Sequence, residues 1–149
     1  MTQEDKQLLL KDLSARLPYG IKVAIEYSEG KYTRIYDLRE IDNDVTSELR
    51  QRVIVWNYGI YSSVISYPLI DCRPYLRPMS SMTEVEKKEY HNLCYEEERE
   101  CYEFGEWVTR VYYHDTIESI DWLNAHHFDY RGLIPKGLAI EAPNDMYEH

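Results

Sequence analysis

His126 and His127 stand side by side, with Asp121 and Trp122 before them and Asp129 two residues beyond. Imidazole and carboxylate groups together are what a divalent metal or an acid–base step requires. Asp121, His126, His127 and Asp129 are therefore the candidate metal ligands, or the groups of a metal-dependent or acid–base enzyme. Their spacing argues against that chemistry. Neighbouring residues on a helix point about 100° apart, so adjacent histidines rarely share one ion. The helical pair that does so is three or four residues apart, as in H-E-x-x-H, and is absent. The spacing favours one ring packed at a helix end and the other solvated near the C-terminal dipole.

The other reactive residue types select no site either. Cys72, Cys94 and Cys101 can each be combined with any of five histidines, so no nucleophilic dyad is singled out. No cysteine spacing suits zinc, and free thiols in a reducing cytoplasm are the expectation. No G-x-S-x-G, phosphate-binding loop or G-x-G-x-x-G occurs. No catalytic residue and no cofactor are assigned, and the chain leans away from being an enzyme. The binding candidates are Arg73, Tyr75 and Arg77, an arginine–tyrosine strip framed by Pro74 and Pro78. The competing reading is a connecting piece whose Tyr75 and Leu76 pack inward.

These residues need elements to hold them. Thr2 to Leu17 reads as an amphipathic helix capped by Thr2 with Asp5, its stripe made by Leu9, Leu13 and Leu17. Asp5, Lys6, Lys11 and Asp12 belong to the polar side, and Pro18 ends the helix. Strands are expected over Ile21–Glu26, Tyr32–Ile41, Arg52–Trp56 and Ile60–Tyr67. A hairpin turn is expected at Ser28–Lys31, a polar connection at Thr46–Arg50 and a turn at Asn57–Gly59. Pro74 and Pro78 place their segment at a sheet edge or outside it. A helix starts at Thr83 with Glu86 or at Ser81 with Glu84, and Tyr90, Leu93, Cys94, Cys101 and Phe104 continue at helical spacing. Glu96–Glu98 and Glu100 then form a solvated acidic face, or one that meets a basic partner. Glu106–His114 reads as strand or as further helix. Asp115 with Glu118 starts a last helix, closed near Phe128 with Gly132 as the left-handed residue. Leu133-Ile134 and Leu138–Ile140 are too short to stand alone and must pack on something already folded.

The fold class is therefore α+β. An N-terminal helix and a small bent antiparallel sheet occupy residues 1–79, and an acidic helical part, 80–149, packs on them as one compact unit. In element order, Met1 to Pro78 resembles the Sm-like small barrel. Of the net charge of −10, residues 1–79 contribute nothing, with eleven Lys/Arg and eleven Asp/Glu; residues 80–149 carry six and sixteen. The acidic part should repel phosphate backbones. Nucleic-acid binding stays open only for the N-terminal β module, through Arg34, Arg39, Arg50 and Arg52. Fifteen tyrosines fit a sheet with half-exposed rings, or a binding surface. No run of eighteen apolar residues spans a membrane, and no secretion signal is read at the start. A cytoplasmic, protein-binding chain is the expectation, with its oligomeric state open.

Three blocks, LLLKDLSARLPYGIKV, PYLRPMSSMTEVEKKEY and IDWLNAHHFDYRGLIPKGLAIEAP, resemble a group of short proteins of gut Bacteroides and related bacteria carried on prophages and mobile elements. The resemblance implies an accessory protein of such an element. It implies no activity, and it does not extend to Lys31–Leu69 or His91–His114.

Overall fold

The computed structural model describes residues 1–27, 32–43, 51–58 and 62–147. The expected turn at 28–31 and the connection at 46–50 lie outside them, as does Gly59; Asn57 and Tyr58, read as one turn with it, continue strand pairing with Ser63 and Ser62. The first helix, α1 (Gln3–Arg16), starts as read: Thr2 accepts from the Asp5 amide while the Asp5 carboxylate takes the Thr2 N–H. Pro18 sits in a 3-10 turn over Leu17–Tyr19, and Gly20 turns the chain with φ of 74°.

Five antiparallel neighbours and one parallel strand make the main sheet. Its strands are β1 (Lys22–Tyr27), β2 (Tyr32–Asn43), β3 (Gln51–Tyr58), β4 (Ser62–Pro68), β5 (Cys72–Leu76) and β8 (Ile140–Glu141), in the order β4-β3-β2-β1-β5-β8. Between Leu38 and Glu40 the β2–β3 register slips by one residue; such a bulge adds local bend and twist. The sheet stays open, with β4 and β8 at opposite edges, so the Sm-like barrel is not formed among the described residues. Closure would need β5 to return to β4. It lies instead beside β1 and takes β8 on its other side.

That position corrects the reading of the proline-framed segment. β5 lies inside the sheet, antiparallel to β1 and parallel to β8. Hydrogen-bonding direction alternates along a strand. The Leu76 carbonyl accepts from Ala142 on the β8 side, so the nitrogen of Pro74, two residues earlier, faces that side too. β8 pairs only with Tyr75 and Leu76, and a proline without an N–H is tolerated where the ladder has not begun.

Alternation divides the side chains between two faces. Val23, Ile25, Leu38, Val53, Val55, Cys72 and Leu76 join Leu9 and Leu13 of α1 in the main core. Leu133, Leu138 and Ala139 complete it, as their shortness required. Ala24 points the other way and is covered by Tyr75 and Ala142. Cys72 is fully buried, and burial pushes its thiol up to about 12. Cys94 and Cys101 are half-buried, and all three are free. In native protein at pH 8 a disulfide-exchange reagent should titrate two thiols quickly. The third should react only after denaturant is added; three fast thiols would contradict the packing of Cys72.

The largest departure from the sequence reading is in 84–114. Helix α2 (Glu84–Leu93) opens with the Thr83–Glu86 capping box but stops at Leu93. The apparent helical repeat through Cys101 and Phe104 is instead strand β6 (Tyr95–Glu103). It pairs with β7 (Glu106–His114) over nine residue pairs, from Tyr95↔His114 to Glu103↔Glu106. Phe104 and Gly105 form the two-residue turn with φ of 50° and 81°. Positive φ at both positions matches the twist of the flanking strands. The ambiguous stretch 106–114 is thereby strand.

Helix α3 (Ile117–Ala125) is capped by Thr116 with Ser119, not by Asp115 with Glu118. Asp115 instead accepts from the hydroxyls of Tyr90, at 2.5 Å, and Ser119. The Thr116 hydroxyl donates to the Leu93 carbonyl, tying the start of α3 to the end of α2. At the other end the Phe128 N–H bonds Leu123 O and the His127 N–H bonds Asn124 O. This is a Schellman closure with His127, φ 63°, in the left-handed position expected of Gly132. Gly132 is left-handed too, but seven residues past the helix.

Candidate interaction surface

Of the four candidate metal ligands, His126, His127 and Asp129 each have partners of their own. The His126 ring lies 4.0 Å from that of Trp122, with Nδ1 2.9 Å from the Trp122 carbonyl. The His127 ring stacks on Tyr147 at 3.7 Å and is almost fully buried. Asp129 caps the next turn, accepting from the amides of Leu133 and Ile134 at 2.8 and 2.9 Å. Asp121 is exposed. Among the described residues no three His, Cys, Asp or Glu side chains are placed to hold a metal ion.

Around these residues the turn after α3 is fastened to the body. Arg77 and Phe128 form a parallel bridge, the Arg77 N–H bonding His127 O and the Asp129 N–H bonding Arg77 O. Beneath them Arg16, fully buried, donates to Asp12 at 2.9 Å and to the Phe128 carbonyl at 2.6 Å. Arg131 reaches the other Asp12 oxygen, and both guanidiniums lie over the Tyr130 ring. Asp12, assigned by its position to the polar side of α1, is thus the buried counter-ion of two arginines. The Tyr147 hydroxyl accepts from the Lys22 N–H and donates to the Tyr75 carbonyl, holding the last described turn against β1 and β5.

The arginine–tyrosine strip is taken up in the same way. Arg73 donates to the carbonyls of Ile70, Cys72 and Gly137. Tyr75 is buried. Arg77 forms a two-toothed pair with Glu86, both contacts at 2.8 Å, and stacks over Phe128. Arg77 and Glu86 line an open cleft of about 740 Å³ with Glu89, His126, Glu141 and Tyr147. The guanidinium in this cleft is paired with Glu86, whereas Arg73 is held by backbone carbonyls.

The Arg77 guanidinium, with the Thr83 amide, holds the Glu86 carboxyl down at about 2. A depressed carboxyl stabilises the fold fully above the unfolded-state range near 4.5, and the contribution fades as pH falls toward 2. An Arg77→Ala/Glu86→Ala double-mutant cycle should therefore give a coupling at pH 7 above the ~1 kcal/mol of exposed pairs, and near zero at pH 2. Equal coupling at both pH values would contradict the pairing.

Of the four arginines proposed for nucleic acid, Arg39 pairs with Glu40 and lies over Trp56. Arg52 donates to Ser66, Arg34 lines a shallow groove with Trp56 and Tyr58, and Arg50 lies outside the described residues. Lys22 in the same groove pairs with Asp37. Acidic neighbours thus temper the positive charge of this face.

What remains unexplained by packing is the β6–β7 arm. Its nine residue pairs span about 30 Å at the rise of an extended chain, and most of its side chains are exposed. At the tip Phe104 is 103% exposed, Trp107 71% and Tyr102 63%, and the last two rings meet edge to face at 5.3 Å. Large apolar side chains grouped at one exposed place mark contact sites more often than scattered ones do.

The two faces of the arm differ in charge. On one, Glu97 pairs with Arg99 and His114, and Glu103 with Arg110. The Arg99 guanidinium, followed by His114, holds the Glu97 carboxyl at about 2. On the other, Glu96, Glu98 and Glu100 stand opposite Tyr113, Val111 and Thr109, with Tyr102 opposite Trp107 at the end. Glu100 accepts from the Thr109 hydroxyl. Among the described residues none of these three carboxylates forms an ion pair.

The arm was hidden because Leu93, Cys94, Cys101 and Phe104 imitate a helical repeat. The signal that could have revealed it is the turn-forming Gly105, followed by a stretch, 106–114, that can be read as a strand. No protein-family model, no curated protein and no solved structure matches this chain.

Proposed function

We propose that this chain is a protein-binding accessory protein, non-enzymatic and cytoplasmic, carried by a phage or mobile element of Bacteroides-like bacteria, and that its contact surface is the β6–β7 arm. The observation that carries the reading is the tip, where Tyr102, Phe104 and Trp107 expose large rings, Tyr102 and Trp107 meeting only each other among the described residues' ring contacts. Aromatic side chains supply contact area at low entropic cost and are enriched where binding energy concentrates. Two features tell against nucleic acid at the arm: three glutamates on one face that form no ion pair among the described residues, and the pairing of the arm's arginines on the other. Among the described residues no helix is long and apolar enough to cross a membrane.

The test compares proteins retained from a Bacteroides lysate by the wild type and by a Tyr102→Ser/Phe104→Ser/Trp107→Ser variant, quantified by mass spectrometry. Proteins held by the first and lost from the second are expected. An identical set on both would remove the arm from the proposal.

A further inference from the structure

Two features of the arm specify what it binds. The first is the outer edge of β6, which pairs with no strand among the described residues. An open edge offers backbone N–H and C=O groups to an added strand. The second is the charge beside that edge: Glu96, Glu98 and Glu100 lie on one face at alternate positions and, among the described residues, form no ion pair, while on the opposite face Glu97 and Glu103 pair with Arg99 and Arg110.

Resting on the reading that the arm is the contact surface, we infer that its partner is a basic, extended protein segment that adds as a strand to the outer edge of β6. Side chains on one face of a strand recur every second residue, about 7 Å apart. The segment therefore carries Lys or Arg at three alternate positions, beside Glu96, Glu98 and Glu100. Two positions further on it carries an apolar side chain that packs on Tyr102 and Trp107. Opposite charges paired across strands stabilise and like charges destabilise. That rule disfavours a second copy of this chain in the same place. An antiparallel β6–β6 pairing about a two-fold axis keeps the same face on both strands and sets the glutamates against one another. It disfavours an anionic membrane as well.

The test selects random twelve-residue displayed peptides on the immobilised full-length protein. Selected peptides are then measured on Glu96→Gln/Glu98→Gln/Glu100→Gln, on the same three positions changed to Lys, and on Tyr102→Ser/Trp107→Ser. Circular dichroism checks that each variant is folded; the Gln set keeps the test usable if the Lys set is not. The expected result is enrichment of peptides with Lys or Arg at alternate positions, bound at least tenfold more weakly by the Gln variant and more weakly as salt rises. Enriched peptides without that spacing, or equal affinity for wild type and Gln variant, would overturn the inference. If binding then still depended on Tyr102 and Trp107, the arm would remain the contact surface. If binding ignored all three variants, both readings would fail. Three further outcomes would also overturn the basic-strand partner: no enrichment at micromolar protein, dimerisation weakened by Trp107→Ser, or arm-dependent binding to phosphatidylglycerol vesicles.

Discussion

Replacing Asp12 with alanine should cost about 3–5 kcal/mol of stability, the range for removing one partner of a buried ion pair. Asp12 and Arg16 are both fully buried, and Arg16 cannot swing out to water because its second nitrogen is bonded to the Phe128 carbonyl. Arg131, part-exposed, loses its partner at lower cost. Urea unfolding of Asp12→Ala measures the effect. An Asp12→Leu/Arg16→Met double variant should lose less than Asp12→Ala alone, because it removes the stranded charge along with its counter-ion. A single variant within 1 kcal/mol of wild type would mean that water reaches the pair.

Phe128→Ala is the second large effect, also about 3–5 kcal/mol, the usual range for emptying a buried aromatic site. The ring is fully buried, stacked with Trp122 at 5.7 Å and capped by the Arg77 guanidinium 4.2 Å from its centre. Its amide and carbonyl bonds survive the truncation, so the loss reports packing and the cation–aromatic contact. The same denaturant titration measures it, and a loss below 1 kcal/mol would contradict the packing.

Both effects concern how the turn that carries the paired histidines is held to the body, through Arg16 to the Phe128 carbonyl and through the Phe128 ring. Both histidines lie past the end of α3, His127 in the left-handed conformation, so helical divergence is not what separates their rings, and neither is the solvated one that the spacing suggested. The structure gives each its own aromatic neighbour, Trp122 for His126 and Tyr147 for His127. The α+β class, the first helix with its cap, and strands β1 to β4 were legible because their patterns are local. Leu9 and Leu13 repeat at helical spacing, Val23 and Ile25 at strand spacing, and both sets are buried.

Residues whose roles depend on distant partners were not legible. Asp12 falls on the polar side of a helical wheel, and only the meeting of α1 with the turn after α3 buries it. Arg77 looks free in an extended strip until Glu86 arrives from α2. Pro74 argued for an edge, and only the shortness of β8 lets it sit inside the sheet. The arm misled for a different reason: a sheet exposed on both faces buries little, so it leaves no apolar stripe of period two. Glu96–Glu98 and Glu100 read as a helix face because nothing in their order tells a solvated helix from a solvated strand.

The most direct test of the division between a self-sufficient body and an arm kept for contact is to shorten the arm. Residues 97–112 are removed and Glu96 is joined to Tyr113 through an Asn-Gly turn, and the thermal unfolding midpoint is measured. A stability change of ~1 kcal/mol moves a midpoint by about 2–8 °C in domains of this size range. The expected result is a cooperative transition within about 4 °C of the intact chain. A midpoint lower by more than about 10 °C, or loss of cooperativity, would show that the arm holds the fold together and would contradict its assignment as a contact surface.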